Sequence, residues 1–240
     1  MPRFAEFARI WSRAERALLA PACLLCEEQV PASEGDALIC GLCRSRWHRV
    51  EPPWCPRCGA TVELDDPCTV CGDWPDGLSE VRSAVWLDDP ARKTVHALKY
   101  GGWWRVTEAM ALAMRGLEPL GQQPVLVPVP LGSRRRRRRG YNQSAMLARV
   151  LADITGGEVD EAVLRRGRET RSQTALTPDQ RQANVAGAFV GARCTGRHLV
   201  LVDDVFTTGA TLAAAGMALR AAGAARVDAV TFARARTALD

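Results

Sequence analysis

Lysine is almost missing from this 240-residue chain: Lys93 and Lys99 are its only lysines, so arginine carries nearly all of the positive side of a formal net charge of +5. A basic chain of this kind suits an anionic partner. Long apolar runs are also missing, which excludes a membrane-spanning helix of about 20 residues. An apolar leader is not expected either, because Glu6, Arg9, Arg13 and Glu15 occupy the stretch where a signal peptide would be apolar. The expectation is a cytoplasmic protein whose thiols stay reduced. Cysteine is absent from the last two thirds of the chain except for Cys194, and a lone cysteine reads as small core packing.

Eight cysteines do occur, and they crowd the first third. Cys23, Cys26, Cys40, Cys43, Cys55, Cys58, Cys68 and Cys71 form four C-x-x-C pairs within fifty residues. Each pair holds two thiolates at the spacing of a zinc knuckle, and two knuckles complete a closed tetrahedral site, so eight ligands predict two structural Zn²⁺ ions. A disulfide framework would need an oxidising compartment, and redox C-x-x-C pairs occur singly beside a βαβ unit. Sequential pairing puts the first four cysteines on one ion and the last four on the other, like a double zinc ribbon; a cross-brace pairing is the alternative. Between the knuckles lie Pro31, Pro52, Pro53, Pro56 and Pro67 with few residues able to build a core, so metal would supply most of the folding free energy. Trp47, Trp54 and Trp74 are expected to pack between ribbons and the following domain, with base stacking as the sharper alternative. With eight cysteines filling two sites, His48 reads as a surface or packing residue.

Residues 199–212 carry the strongest chemical signal. Leu199, Val200, Leu201 and Val202 form the short apolar run of a buried parallel strand, whose ligand end is its carboxyl edge. Asp203 and Asp204 stand at that edge. Thr207, Thr208, Gly209, Ala210 and Thr211 then open an alanine-rich helix, where hydroxyls and unpaired N–H groups at the positive helix end stabilise a phosphate without a dedicated lysine. Two carboxylates beside a phosphate need other partners, and sugar hydroxyls and Mg²⁺ both fit. A plain strand-to-helix junction rarely carries both the acid pair and the complete loop.

The rest of the chain alternates strand and helix. Val81 to Leu87 reads as a strand, Ala91 to Tyr100 and Ala109 to Leu117 as helices, and Val125 to Val129 as a short strand stopped by Pro128 and Pro130. A turn, six arginines from Arg134 to Arg139, and a helix capped by Asn142 or Ser144 come next. Residues 165–181 are polar and aperiodic, as a loop closing over a site would be. His198 precedes the central strand, Ala213 to Ala225 is helix closed by Gly223, and Arg226 to Ala233 is the last strand. This order predicts an N-terminal helix over 1–20, a double zinc ribbon over 21–78 and an α/β domain over 79–240, its mainly parallel sheet flanked by helices on both faces.

Four apolar residues, two acids and T-T-G-x-T resemble the signature of type I phosphoribosyltransferases. That resemblance implies that Asp203 and Asp204, as catalytic acids, bind the ribose hydroxyls of phosphoribosyl pyrophosphate, that Thr207 to Thr211 hold its 5′-phosphate, and that Leu131, Gly132, Ser133 and Arg134 hold the pyrophosphate. Arg165, Arg168, Gln173 and Arg181 would belong to the closing loop. More narrowly, V-P-V-P-L at Val127 to Leu131, R-G-Y-N-Q-S at Arg139 to Ser144, H-A-L-K-Y-G at His96 to Gly101, and Thr170, Gln173, Leu176, Arg181 and Asn184 with the cysteine pairs ahead of them resemble the ComF family over most of residues 20–234. The arginine run is longer than that family's usual pattern. Membership implies an Mg²⁺-dependent phosphoribosyltransferase of unspecified acceptor linked to natural competence. The alternative is a non-catalytic module that senses phosphoribosyl pyrophosphate or handles single-stranded DNA beside other DNA-uptake proteins.

Overall fold

In the computed structural model, residues 21–61, 68–72, 74–168, 185 and 187–236 are described. The expected N-terminal helix over 1–20 and the motif residues Thr170, Gln173, Leu176, Arg181 and Asn184 lie outside them. Gly41–Ser45 forms α1 within the cysteine-rich segment. The strand expected after it is β1 at Glu80–Trp86, followed by α2 at Asp89–Tyr100 and α3 at Val106–Met114. Asp88 caps α2 by accepting from the Ala91 N–H, and a proline sits in its first turn, where no donor is lost. β2 is Val125–Pro128.

The arginine run departs from a loop: Ser133–Arg139 is a helix, α4, closed by Gly140 at φ 87°. Arginine is a good helix former and no glycine or proline interrupts the run, so propensity wins over repulsion between neighbouring guanidinium groups. After α5 at Gln143–Thr155, capped by Asn142 as expected, come β3 at Glu158–Val159, β4 at Leu164–Arg166, β5 at Phe189–Gly191, β6 at His198–Phe206, α6 at Ala210–Ala221 and β7 at Arg226–Arg234. No helix among the described residues is long and apolar enough to cross a membrane.

The main sheet has the order β1-β7-β6-β2-β3, and every pairing in it is parallel. β4 and β5 form a separate antiparallel pair. The mainly parallel α/β architecture read from the sequence is therefore the one formed. Along β6, Val200 and Val202 join the cluster beneath α2, α3 and α5, whereas Leu199 and Leu201 join the cluster beneath α6. Both faces are covered, which is why the strand reads as a continuous apolar run. Cys194 is buried in the second cluster, in line with its packing role.

The strand extends further than its apolar run. β6 continues through Asp203 and Asp204 to Phe206, because β7 pairs alongside it from His198↔Arg226 as far as Phe206↔Arg234. β2 lies on its other side in register Pro128↔Val202. Segments far apart in sequence, after β2 and after β6, thus leave the sheet side by side at its carboxyl edge.

The cysteine-rich segment is built into this body. Trp47 meets Phe232 of β7 edge to face, with ring centroids 5.0 Å apart, and both belong to one apolar cluster with Ile39 and Val85. Residues 48–50 run along the β1 edge, where Trp86 N donates to His48 O (2.8 Å) and Val50 N to Ala84 O (3.2 Å). That covers an exposed sheet edge. Val81 N donates to Arg57 O (2.7 Å), and buried Arg234 reaches Cys58 O (2.9 Å). Trp47 and Trp74 pack as expected between this segment and the sheet, while Trp54 lies under the Arg82 guanidinium at 5.3 Å. His48 is on the surface beside Asp88.

Candidate functional site

At the carboxyl end of β6, Asp204 is 2 % exposed and ion-paired with Lys99 from the last turn of α2. Gln143 Nε2 also donates to its Oδ1 (3.2 Å), and Arg139 donates to Gln143 Oε1. Half-buried Asp203 accepts at Oδ1 from Ser144 Oγ (2.7 Å) and from the Asp204 N–H (2.9 Å). Helices α2 and α5 therefore meet on two carboxylates of β6, and α4 reaches them only through Gln143. Tyr141 donates to Leu98 O, and Asn142 Nδ2 to Val129 O (3.1 Å), so the residues between α4 and α5 pin α2 and the end of β2 to the same place. The arginine at position 139 also lies over the Tyr100 ring at 5.6 Å.

These contacts push the two acids apart. Burial by itself would raise the Asp204 pKa, but the charge and hydrogen bond of Lys99, with the bond from Gln143, hold it below the usual carboxylate range. Burial and the charge of Asp204 push Asp203 up to about 7, against the opposing pull of Lys99. Burial would lower Lys99, yet the charge of Asp204 keeps its pKa raised. One acid is thus favoured in its charged, matched form, and the other is pushed up to about 7. Lys99, Gln143 and Ser144 stood in the family motifs, but nothing local in the sequence marked them as partners of the acid pair.

Thr207 and Thr208 lead from β6 into Gly209, which heads α6 at φ 74°. Ala213 N donates to Gly209 O (2.9 Å), so the helix is closed from its first turn. Thr207, Thr208, Ala210 and Thr211 are half-buried. After β2, Gly132 caps α4 and Arg136 N donates to its carbonyl (2.9 Å). Leu131 and Ser133 line a cleft of about 400 Å³ together with Pro130, Arg136, Arg165 and Arg168. The structure thus brings the post-β2 turn and the described part of the expected closing loop around one cleft. Asp203 and Asp204 are not among its lining residues. Arg166, stacked on Phe189 at 5.1 Å, fastens the β4–β5 pair to that turn by donating to Pro130 O (3.2 Å). Gln173 and Arg181 lie outside the described residues.

The eight thiols form two separate tetrads, Cys23, Cys26, Cys40 and Cys43, and Cys55, Cys58, Cys68 and Cys71, with the ligand atoms of each within 4.8 Å of one another. The grouping is sequential, not cross-braced. Sγ separations of 3.9 Å for Cys26 and Cys40, 3.6 Å for Cys55 and Cys71 and 3.5 Å for Cys58 and Cys68 match the edge of about 3.8 Å of a tetrahedron with Zn–S bonds of about 2.3 Å. Both tetrads fit structural zinc.

Comparison with known proteins agrees with this geometry. The double zinc ribbon domain family matches residues 14–73, and the phosphoribosyl transferase domain family matches residues 137–239. Fold and site define a phosphoribosyltransferase-domain protein with a zinc-ribbon segment ahead of it. The chain is 32 % identical over 215 residues to the DNA utilization protein YhgH of Escherichia coli, covering 86 % of this chain and 93 % of that one. It is 34 % identical over 215 residues to YhgH of Salmonella typhimurium, with the same coverage, and 27 % identical over 232 residues to the competence protein ComFC of Bacillus subtilis, covering 88 % and 94 %. The chain belongs to the ComF family.

Proposed function

We propose that this protein is an Mg²⁺-dependent phosphoribosyltransferase that binds phosphoribosyl pyrophosphate across the carboxyl ends of β2 and β6. The observation that carries the reading is the bonded group of Lys99, Asp204, Gln143, Asp203 and Ser144 at the sheet edge from which the Thr/Gly helix entrance and the turn into arginine-rich α4 also leave. Thr207, Thr208, Gly209, Ala210 and Thr211 take the 5′-phosphate, for which α6 offers its first amides. Asp203 and Asp204 accept from the ribose hydroxyls, and Leu131, Gly132, Ser133 and Arg134 hold the pyrophosphate. Arg165, Arg168, Gln173 and Arg181 close over it. A half-buried carboxylate such as Asp203, beside substrate oxygens, suits a hard divalent cation, which takes one or two carboxylates together with phosphate oxygens. When bound, Mg²⁺ supplies charge neutralisation to the leaving pyrophosphate.

In the reaction the bond from the anomeric carbon to pyrophosphate breaks, a bond to the acceptor nucleophile forms, and the acceptor's proton is released. The protein's share is positioning and fixed charge: Asp204 is held by Lys99 and Gln143, so its carboxylate need not reorganise as the sugar becomes oxocarbenium-like. A cytoplasmic location, with ribbon limits near 21–78 and the catalytic domain over 79–240, completes the proposal. The test is incubation of metal-replete protein with phosphoribosyl pyrophosphate, Mg²⁺ and a panel of bases and amines. Pyrophosphate release dependent on one acceptor supports transfer; no binding of phosphoribosyl pyrophosphate by calorimetry ends the reading.

A second reading has its own support. Arg134, Arg136, Arg137 and Arg138 of α4 are exposed, which is more charge than one cleft uses, and relatives carry the names DNA utilization protein and competence protein. On this reading the site senses phosphoribosyl pyrophosphate without turnover, and α4 contacts single-stranded DNA. Replacing Arg137 and Arg138 by glutamine would then weaken oligonucleotide binding and flatten its dependence on salt. Unchanged binding by that variant excludes α4 as the contact.

A further inference from the structure

The Thr/Gly turn after β6 does not stand alone. A Cβ placed on Gly209 would lie 2.0 Å from Cζ2 of Trp74 and 3.0 Å from the Phe206 ring. Trp74 follows Cys71, the last thiol of the second tetrad, by three positions. Its ring sits 5.8 Å from that of Phe206. Arg57, inside the Cys55–Cys58 knuckle, lies 6.0 Å over the Trp74 ring and donates to Cys71 O (3.3 Å), Trp74 O (3.5 Å), Pro75 O (3.0 Å) and Leu78 O (3.3 Å). Two turns along α6 the same strap touches again: a Cβ on Gly77 would lie 2.7 Å from Met217 N, and one on Gly216 would lie 2.6 Å from Gly77 O. Arg234 adds a third tie, bonded to Cys58 O (2.9 Å) and stacked on Phe206 at 4.7 Å.

We infer that Trp74, carried by the second cysteine tetrad, is a positioning residue for the sugar-phosphate loop. The inference rests on the phosphate-binding role proposed above for Thr207 to Thr211. Glycine at a positive φ is the least restrained residue a turn can contain, and its freedom must be lost before the first amides of α6 converge on a phosphate. A tryptophan face packed where a side chain would otherwise stand removes that freedom during folding, so it is not lost again on binding. The knuckle holds Trp74 from behind through the four carbonyls bound by Arg57, so metal-organised structure reaches the loop through one aromatic ring. The glycine at 209 is also required twice over, by its φ and by the ring against it.

The test titrates full-length, metal-replete protein with ribose 5-phosphate and, separately, with Mg²⁺ and inorganic pyrophosphate. Trp74→Ala should weaken ribose 5-phosphate binding about tenfold, less than the roughly hundredfold that an ångström of misplacement can cost, with pyrophosphate binding unchanged within about twofold. Zinc content should stay at the parent value, and Trp74→Phe should recover most of the affinity. Ribose 5-phosphate binding by Trp74→Ala that equals or exceeds the parent's overturns the inference, as does an equal loss of both ligands. A parent protein that binds neither ligand overturns the phosphate-site reading itself, and the inference with it. If Trp74→Ala does not fold, Arg57→Gln replaces it, releasing the strap without removing the ring; the same split at about threefold is expected, and its absence is decisive against the proposal.

Discussion

Lys99 and Asp204 form an ion pair at the carboxyl edge of the sheet, the lysine reaching from the last turn of α2 to a carboxylate that is almost wholly buried. With one of the chain's two lysines spent here, the adjacent acids carry far less net charge than their sequence suggests. Removing one partner of a buried pair leaves the other charge without compensation. Lys99→Met should therefore cost about 3 kcal/mol of stability in urea unfolding, and adding Asp204→Asn should recover most of it. A Lys99→Met protein as stable as its parent would show that the pair contributes nothing.

Asp203 should make stability depend on pH in the direction opposite to most acids. Its pKa rises on folding from 3.8 to about 7, so between those values the folded state holds a proton that the unfolded state has lost. Its contribution is complete below about pH 4 and disappears as pH climbs to about 7. Asp204, held below its ordinary range, acts in more acidic solution and does not mask this. Asp203→Asn should melt about 2–4 °C above the parent at pH 8, with the gap closing toward pH 4. Melting curves with the same pH profile in both proteins would refute the assignment.

If Asp203 must be ionised to accept from a sugar hydroxyl, affinity for ribose 5-phosphate should rise as pH passes about 7 and level off above it, the direction that the raised pKa dictates. Calorimetry between pH 6 and 8.5 measures this. Affinity that does not change across that range would remove Asp203 from the binding set.

Metal analysis should find two zinc ions per chain, and Cys55→Ser should reduce the content toward one, since each tetrad is self-contained. Stripping both ions with a strong chelator should expose Trp47 and Trp74 and shift tryptophan emission to the red, because both rings are carried on knuckle segments whose thiolates the metal draws together. Emission and melting temperature that stay constant after metal is removed would argue against structural zinc.

Trp47 should matter more for stability than an N-terminal appendage would suggest. It is buried against Phe232 of β7 in the core shared with Val85 and Ile39, so Trp47→Ala should cost about 3 kcal/mol, and Trp47→Phe clearly less. A loss below about 1 kcal/mol would mean that the ribbon segment and the sheet are energetically separate.

What could be read from the chain alone was whatever neighbours in sequence decide. Four C-x-x-C pairs bring their thiols together over two intervening residues, and Leu199 to Val202 declare a doubly covered strand because every side chain must meet apolar partners. The loop from Thr207 to Thr211 shows its helix start through glycine and hydroxyl chemistry. Even the arginine helix was open to a propensity reading, but the resemblance to a pyrophosphate-binding loop at this position pointed to a loop. Tertiary structure alone decided which chemistry stands beside which. β6 runs on through Asp203 and Asp204 because β7 offers hydrogen-bond partners as far as Arg234, and no local pattern announces that partner. Lys99, Gln143 and Ser144 converge on the acids because parallel pairing sets β2 next to β6 and brings the helices around them to the same edge. Trp74 rests on Gly209 because the ribbons fold against β1 and α6, a contact between segments whose separate sequences carry no trace of each other. Local chemistry is written in residue order, whereas burial, and with it the pKa of each acid, follows from packing between parts of the chain that are far apart.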